Sequence, residues 1–139
     1  MFDPIELAYM AGYFDGEGSV SVTHVARKYE SVSAQLATSD EVVVRRFAEM
    51  FDVPIYKELP RSYTKRQMFR AKATGRQAQT ILKTLLPYLR AKKAVAELAL
   101  QVPICTPGGK LTEPEKKVRQ ELTAQIRAHN QRVTVIRPN

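Results

Sequence analysis

The chain is poor in the side chains that most often carry metal and redox chemistry. Cys105 is its only cysteine, which excludes an intrachain disulfide and a cysteine-rich zinc site, and histidine is confined to His24 and His129. Carboxylates are what remain for metal-assisted chemistry. Cys105 itself reads as a small packed residue rather than a nucleophile. Long apolar runs are missing too: nothing approaches the roughly 18 apolar residues of a membrane span. Acids are outnumbered, 14 against 22 Lys and Arg, for a formal net charge of +8. That balance points to a polyanionic partner, a property shared by DNA-binding, ribosomal and acidic-membrane-binding proteins. Asp3 and Glu6 stand where a secretory signal would be positively charged and then apolar, so the expected location is internal, cytoplasmic and nucleoid-associated or inside an organelle, and not secreted.

What the chain does have is concentrated at Leu7-Ala8-Tyr9-Met10-Ala11-Gly12-Tyr13-Phe14-Asp15-Gly16-Glu17-Gly18-Ser19-Val20. Here a short apolar helix runs into two acids interleaved with glycines. Upstream, Asp3 suits the N-cap, Pro4 the first turn, and Glu6 stands three residues after the cap, as in a capping box. Downstream, Gly16 and Gly18 are expected to let the chain leave the helix in a sharp turn that keeps Asp15 and Glu17 close. A carboxylate held at such a point is a hard-oxygen ligand for a divalent cation. The bland alternative is a solvated turn carboxylate.

The run Met10-Ala11-Gly12-Tyr13-Phe14-Asp15-Gly16-Glu17-Gly18 resembles the signature of the LAGLIDADG homing endonucleases. Met10 stands in place of the usual leucine and Glu17 in place of the commoner aspartate, which moves the carboxylate by about one methylene and keeps its hard oxygen. The resemblance implies a site-specific endonuclease that makes a metal-dependent double-strand break in a long pseudo-palindromic DNA target, intron-encoded, with magnesium as cofactor and calcium able to bind without supporting cleavage. Its single-motif members work as homodimers. At 139 residues, with the motif present once, this chain fits one domain and is expected to dimerise.

Beyond the motif, Ser19, Ser21 and Thr23 alternate with Val20 and Val22, and Ser31, Ser33 and Gln35 with Val32, Ala34 and Leu36, predicting a hairpin with one polar face and a turn around 27–30. Thr38 is the expected cap of a helix with Val43, Phe47, Met50 and Phe51 inward, ending near Asp52. Strands follow over 53–57 and 67–74, then helices from Arg76 to a break at Pro87 and over 91–101. A loop over 103–111 and a Thr112–Glu115 capping box lead to a helix with Val118, Leu122 and Ile126 as its stripe. The expected fold is α+β, helix-strand-strand-helix-strand-strand-helix, with a curved antiparallel four-stranded sheet covered by helices on its apolar face. This order is also that of the resembled family. Residues 1–102 are expected to form the core and 112–139 a C-terminal helix and tail on the same domain.

The resemblance assigns Glu17 as catalytic metal ligand, with the backbone carbonyl of Gly16 completing the shell, and Lys92 as a basic residue near the active site. The plain alternative is that Lys92 and Lys93 form the solvated first turn of a helix. Asp15 is expected to fix the helix end and the subunit contact, and Ala8, Ala11 and Gly12 to let two first helices cross; the plain alternative is packing on the chain's own core. Ser19, Ser21, Thr23, Ser31, Ser33, Gln35, Arg70 and Lys72 are expected on a sheet face that enters the major groove of double-stranded DNA, with Arg27, Lys28, Arg61, Lys65 and Arg66 holding phosphates from the loops. Two rival readings stand beside the nuclease: a non-cleaving DNA- or RNA-binding protein of the same fold, acting as an intron maturase or a transcriptional regulator, and a basic ribosomal or structural RNA-binding protein.

Overall fold

Apolar residues spaced for a helix, a proline at its start and an aspartate before it produce α1, Pro4–Glu17, and the computed structural model, which describes residues 2–25, 29–58, 66–105 and 109–131, carries this helix through both acids of the motif. Asp3 caps it by accepting from the Ile5 N–H at 2.9 Å. Glu6 does not close the expected capping box; it pairs with Arg46, whose guanidinium holds the Glu6 carboxyl below its usual range. The sharp turn expected at Gly16 is absent as well. Gly16 is helical, Gly18 is extended at φ −81° and ψ 171°, and Gly75 is the one described glycine with positive φ.

Gly18 is needed for a different reason. A Cβ there would lie 2.4 Å from Cδ2 of Phe14, a ring buried in the core, so the strand can leave the helix over that ring only without a side chain. Gly18→Ala is therefore expected to force the ring or the strand to move and to destabilise the fold by about 1–3 kcal/mol, the usual range for overpacking. Denaturant unfolding measures it.

The sequence then alternates into β1, Gly18–Val25, and β2, Tyr29–Thr38, paired antiparallel with Val20 opposite Ala34 and Ser21 opposite Ser33. Helix α2, Glu41–Phe51, starts at Asp40 rather than at Thr38, which is the last residue of β2. Its deepest residues are Val44, Phe47, Ala48 and Met50, while Val43 and Phe51 are only half-buried. Strands β3, Ile55–Glu58, and β4, Met68–Thr74, complete one antiparallel sheet in the order β1-β2-β4-β3. Gly75 at φ 59° turns the chain off β4 into α3, Gly75–Leu85. A 3-10 turn over Leu86–Tyr88 carries Pro87, and α4 spans Lys93–Gln101.

The final helix, α5, Glu113–Asn130, begins with the expected capping box: the Thr112 hydroxyl accepts from the Glu115 N–H and the Glu115 carboxylate from the Thr112 N–H. Leu122 and Ile126 enter the common core with Thr123, whereas Val118 stays exposed. The apolar sheet face, Val20, Val32, Ala34, Leu36, Phe69, Ala71 and Ala73, is covered by Met10 and Phe14 of α1, Phe47 of α2, Ile81, Leu82 and Leu85 of α3 and Val95 of α4. Phe14 stacks on Phe47 with ring centroids 6.1 Å apart. The core thus lies on one side of the sheet and leaves the polar face open.

Candidate catalytic centre and nucleic-acid interface

The end of α1 is tied to the start of α4 by one side chain. Asp15 accepts from the backbone N–H of Arg90 at 2.8 Å with one carboxylate oxygen and from that of Lys92 at 2.9 Å with the other. In return the Lys92 ammonium donates to the Asp15 carbonyl at 2.7 Å. Exposed carbonyls make a helix C-terminus negative, and α1 has no basic residue in its own last turn, so a cation supplied from elsewhere is favoured there. Asp15 therefore spends both oxygens within its own chain. Lys92, at the N-cap of α4, stands at the same helix end as Glu17.

Backbone accounting isolates one further group. The Phe14 carbonyl accepts from the Gly18 N–H and the Asp15 carbonyl from Lys92, while the Gly16 carbonyl has no donor among the described residues. Glu17 is exposed and has no ion-pair or hydrogen-bond partner among them. No three His, Cys, Asp or Glu side chains cluster for metal binding among the described residues. The Glu17 carboxylate and the Gly16 carbonyl are both hard oxygens, the kind of donor that Mg2+ and Ca2+ take.

Sequence reasoning missed a cluster beside this point. The Tyr13 phenol, one turn before Glu17, donates to the Asp40 carboxylate at 2.9 Å and lies 3.3 Å from the Thr38 hydroxyl. The Thr38 contact by itself lowers the phenol's pKa; desolvation, the bond to Asp40 and the negative charges of Asp40 and Glu17 outweigh it and hold the phenol above its usual range. Tyr13 thus remains a hydrogen-bond donor. The only signal in the sequence was its four-residue spacing from Glu17.

Ser19, Ser21, Thr23, Gln35, Arg70 and Lys72 share the polar sheet face and are partly accessible. Ser31 and Ser33 do not behave as expected. They share that face in register but are only 2% and 1% exposed: the Ser33 hydroxyl lies 2.8 Å from that of Ser21, and Ser31 lies beside Gly75, where the chain leaves β4. Both hydroxyls are covered in this chain, unlike those of Ser19, Ser21 and Thr23. Curvature brings both edges of the sheet around one trough of about 650 Å³, lined by Thr23 and His24 of β1, Tyr56 and Glu58 of β3, and Arg70 and Lys72 of β4. Glu58 pairs with Arg70 inside it, while the buried Arg70 Nε has no partner. Arg66 is exposed, and Arg27, Lys28, Arg61 and Lys65 lie outside the described residues.

The outer face of α1 is apolar or bare. Ile5 and Tyr9 are 80% and 62% exposed, and Ala8, Gly12 and Gly16 are exposed on the same side. A Cβ at Gly12 or Gly16 would meet nothing within 4 Å. Ala11, expected on this face, is fully buried in the chain's own core, so it is removed from any set of residues facing a partner. Val42 of α2 adds another exposed apolar side chain, one turn before the Arg46 that holds Glu6.

This arrangement of helices over a curved sheet is that of solved homing endonucleases. The homing endonuclease I-CvuI, in complex with its target in the presence of Ca, shares 22% identity and superposes with a TM-score of 0.69 over 95% of this chain and 87% of that one. The archaeal intron-encoded homing endonuclease I-Vdi141I, complexed with DNA, is 12% identical with a TM-score of 0.70 over 94% and 87% of the two chains. The homing endonuclease I-TnaI is 15% identical, TM-score 0.61, over 86% of each. A LAGLIDADG homing endonuclease, I-GzeII, in complex with its DNA target, has a TM-score of 0.56 at 19% identity, covering 88% of this chain and 44% of that one. No family model matches the sequence, and no curated protein does. The chain has the LAGLIDADG homing-endonuclease fold.

Proposed function

We propose that the protein is a homodimeric, magnesium-dependent, site-specific DNA endonuclease. The observation that carries this reading is the pair of unpartnered hard oxygens, the Glu17 carboxylate and the Gly16 carbonyl, at the end of a helix whose outer face is bare. One subunit is short of ligands for a divalent ion, and a two-fold axis running along that bare face brings a second Glu17 to the same place. When bound, the ion would act as a Lewis acid against the scissile phosphate and lower the pKa of a bound water. The chain's own residues do the rest. Glu17 holds the ion, Asp15 fixes the backbone that carries Lys92, and the Lys92 ammonium, with one of its three N–H groups on the Asp15 carbonyl, has two left to balance charge on a phosphate.

The trough binds one DNA half-site. Lys72, Arg70 and Gln35 are long enough to reach base edges, and Ser19, Ser21 and Thr23 add hydroxyls along β1. Two copies related by a two-fold axis read a pseudo-palindrome, and each cuts one strand. The test is cleavage of a randomised duplex library by purified protein, with magnesium and with chelator. Recurrent double-strand ends that appear with magnesium alone are expected. Enrichment of bound duplexes with no ends in any condition would replace this reading with that of a non-cleaving maturase or regulator.

A further inference from the structure

The end of α5 reaches β1, the strand that follows α1, from the far side of the sequence. Asn130 donates its side-chain amide to the Val20 carbonyl at 2.8 Å, and Arg127 pairs with Glu30 at 2.9 Å, so the last turn is anchored to β1, an edge strand of the sheet, and to β2. The Arg127 guanidinium holds the Glu30 carboxyl below its usual range. Between these two anchors lies His129. It lines a cleft of about 500 Å³ with Ser19, Ala91, Lys92 and Val95. The cleft opens beside the end of α1, where Lys92 is held.

We propose that this cleft holds a backbone phosphodiester of the DNA strand adjoining the cleaved bond, with Lys92 as its cationic wall and the His129 ring and the Ser19 hydroxyl as donors. The proposal rests on the DNA-binding reading above and adds a contact made by the C-terminal helix, outside the sheet. Three observations support it. Lys92 gives the cleft a positive charge, and no carboxylate lines it among the described residues, whereas the sheet trough contains Glu58. Val20 and Val95 contribute apolar wall, which weakens screening between a phosphate and the Lys92 ammonium. Lys92 retains two unused N–H donors, and on its other side His129 meets the uncharged Leu98 and Gln125. Ser19 is two residues beyond Glu17, so a phosphate here neighbours the one to be cut.

The experiment measures the affinity of the full-length protein for a duplex pool enriched from random DNA by retention on the wild type in calcium, as a function of salt, at pH 6, where an ordinary imidazole is largely protonated. Each phosphate contact contributes about 0.9 to the slope of log affinity against log salt. His129→Gln is expected to lower that slope by about 0.9 per subunit, and His129→Lys to retain it, a rescue that a merely structural residue would not give. An unchanged slope in His129→Gln overturns the proposal while leaving the nuclease reading intact. A wild type that retains no duplex overturns both. Inorganic phosphate is the remaining arm: saturable shifts of the His129 ring resonance by phosphate, without any slope change in the variants, would reassign the cleft to a free phosphate and also overturn it.

Discussion

Glu17→Gln is expected to abolish cleavage, by on the order of 10³-fold or more, while leaving the fold and duplex affinity in calcium close to those of the wild type. The size follows from what is removed: losing a metal-held charge stabilisation of several kcal/mol costs about tenfold per 1.4 kcal/mol. The selectivity follows from the surroundings. Glu17 is exposed and makes no ion pair or hydrogen bond among the described residues, so the isosteric amide breaks no internal contact and thermal unfolding should not shift. Glu17→Asp returns the shorter carboxylate and should restore part of the activity, with an altered metal preference. Single-turnover cleavage of a library-derived site, with binding measured in parallel, separates these terms. A Glu17→Gln enzyme that still cuts would move the chemistry away from the end of α1, and one that also loses its fold would make Glu17 structural.

Much of this architecture was legible because it depends on periodicity. Alternation over 19–23 and 31–36 gave the first hairpin and its polar face, and Thr112 with Glu115 gave the α5 cap. Depth was not legible. Ser31 and Ser33 alternate as exposed residues would, and only the packing around them, Ser21 beside Ser33 and Gly75 beside Ser31, shows that they are covered. The same limit applies on α1, where Ala8, Ala11 and Gly12 lie on adjacent turns, yet Ala11 turns into the core and the other two turn out.

Contacts between distant segments were invisible for a plainer reason. Nothing in residues 14–18 says that Gly18 must clear the Phe14 ring rather than make a turn, and nothing near Val20 announces Asn130, 110 residues away. At the candidate centre the motif named Glu17 and Gly16 by resemblance. The geometry contributes the reason they are available: the neighbouring carbonyls of Phe14 and Asp15 are already occupied.

Gly12→Leu is expected to remove dimerisation and cleavage together while leaving each subunit folded. Glycine in mid-helix costs about 1 kcal/mol relative to alanine, a cost that internal packing does not require here, because a Cβ at Gly12 meets nothing within 4 Å. In the proposed dimer its small size serves the crossing of two α1 helices. Helix axes approach to 8–10 Å according to the side chains between them, so an isobutyl group on each subunit holds two crossing helices apart. In a two-fold interface the substitution occurs twice, at about 1–3 kcal/mol each, which weakens association on the order of 10²-fold or more. Gly12→Ala, with a methyl in open space and better helix propensity, should raise subunit stability while impairing assembly far less. Sedimentation equilibrium reads the association, far-UV circular dichroism the fold, and cleavage the pairing of the two Glu17 residues. The contrast with Gly18→Ala is the control: there the Cβ meets Phe14 inside the subunit, so stability should fall before assembly does. A Gly12→Leu protein that remains dimeric and active would put the subunit contact elsewhere and leave the exposed Ile5 and Tyr9 without a partner from this chain.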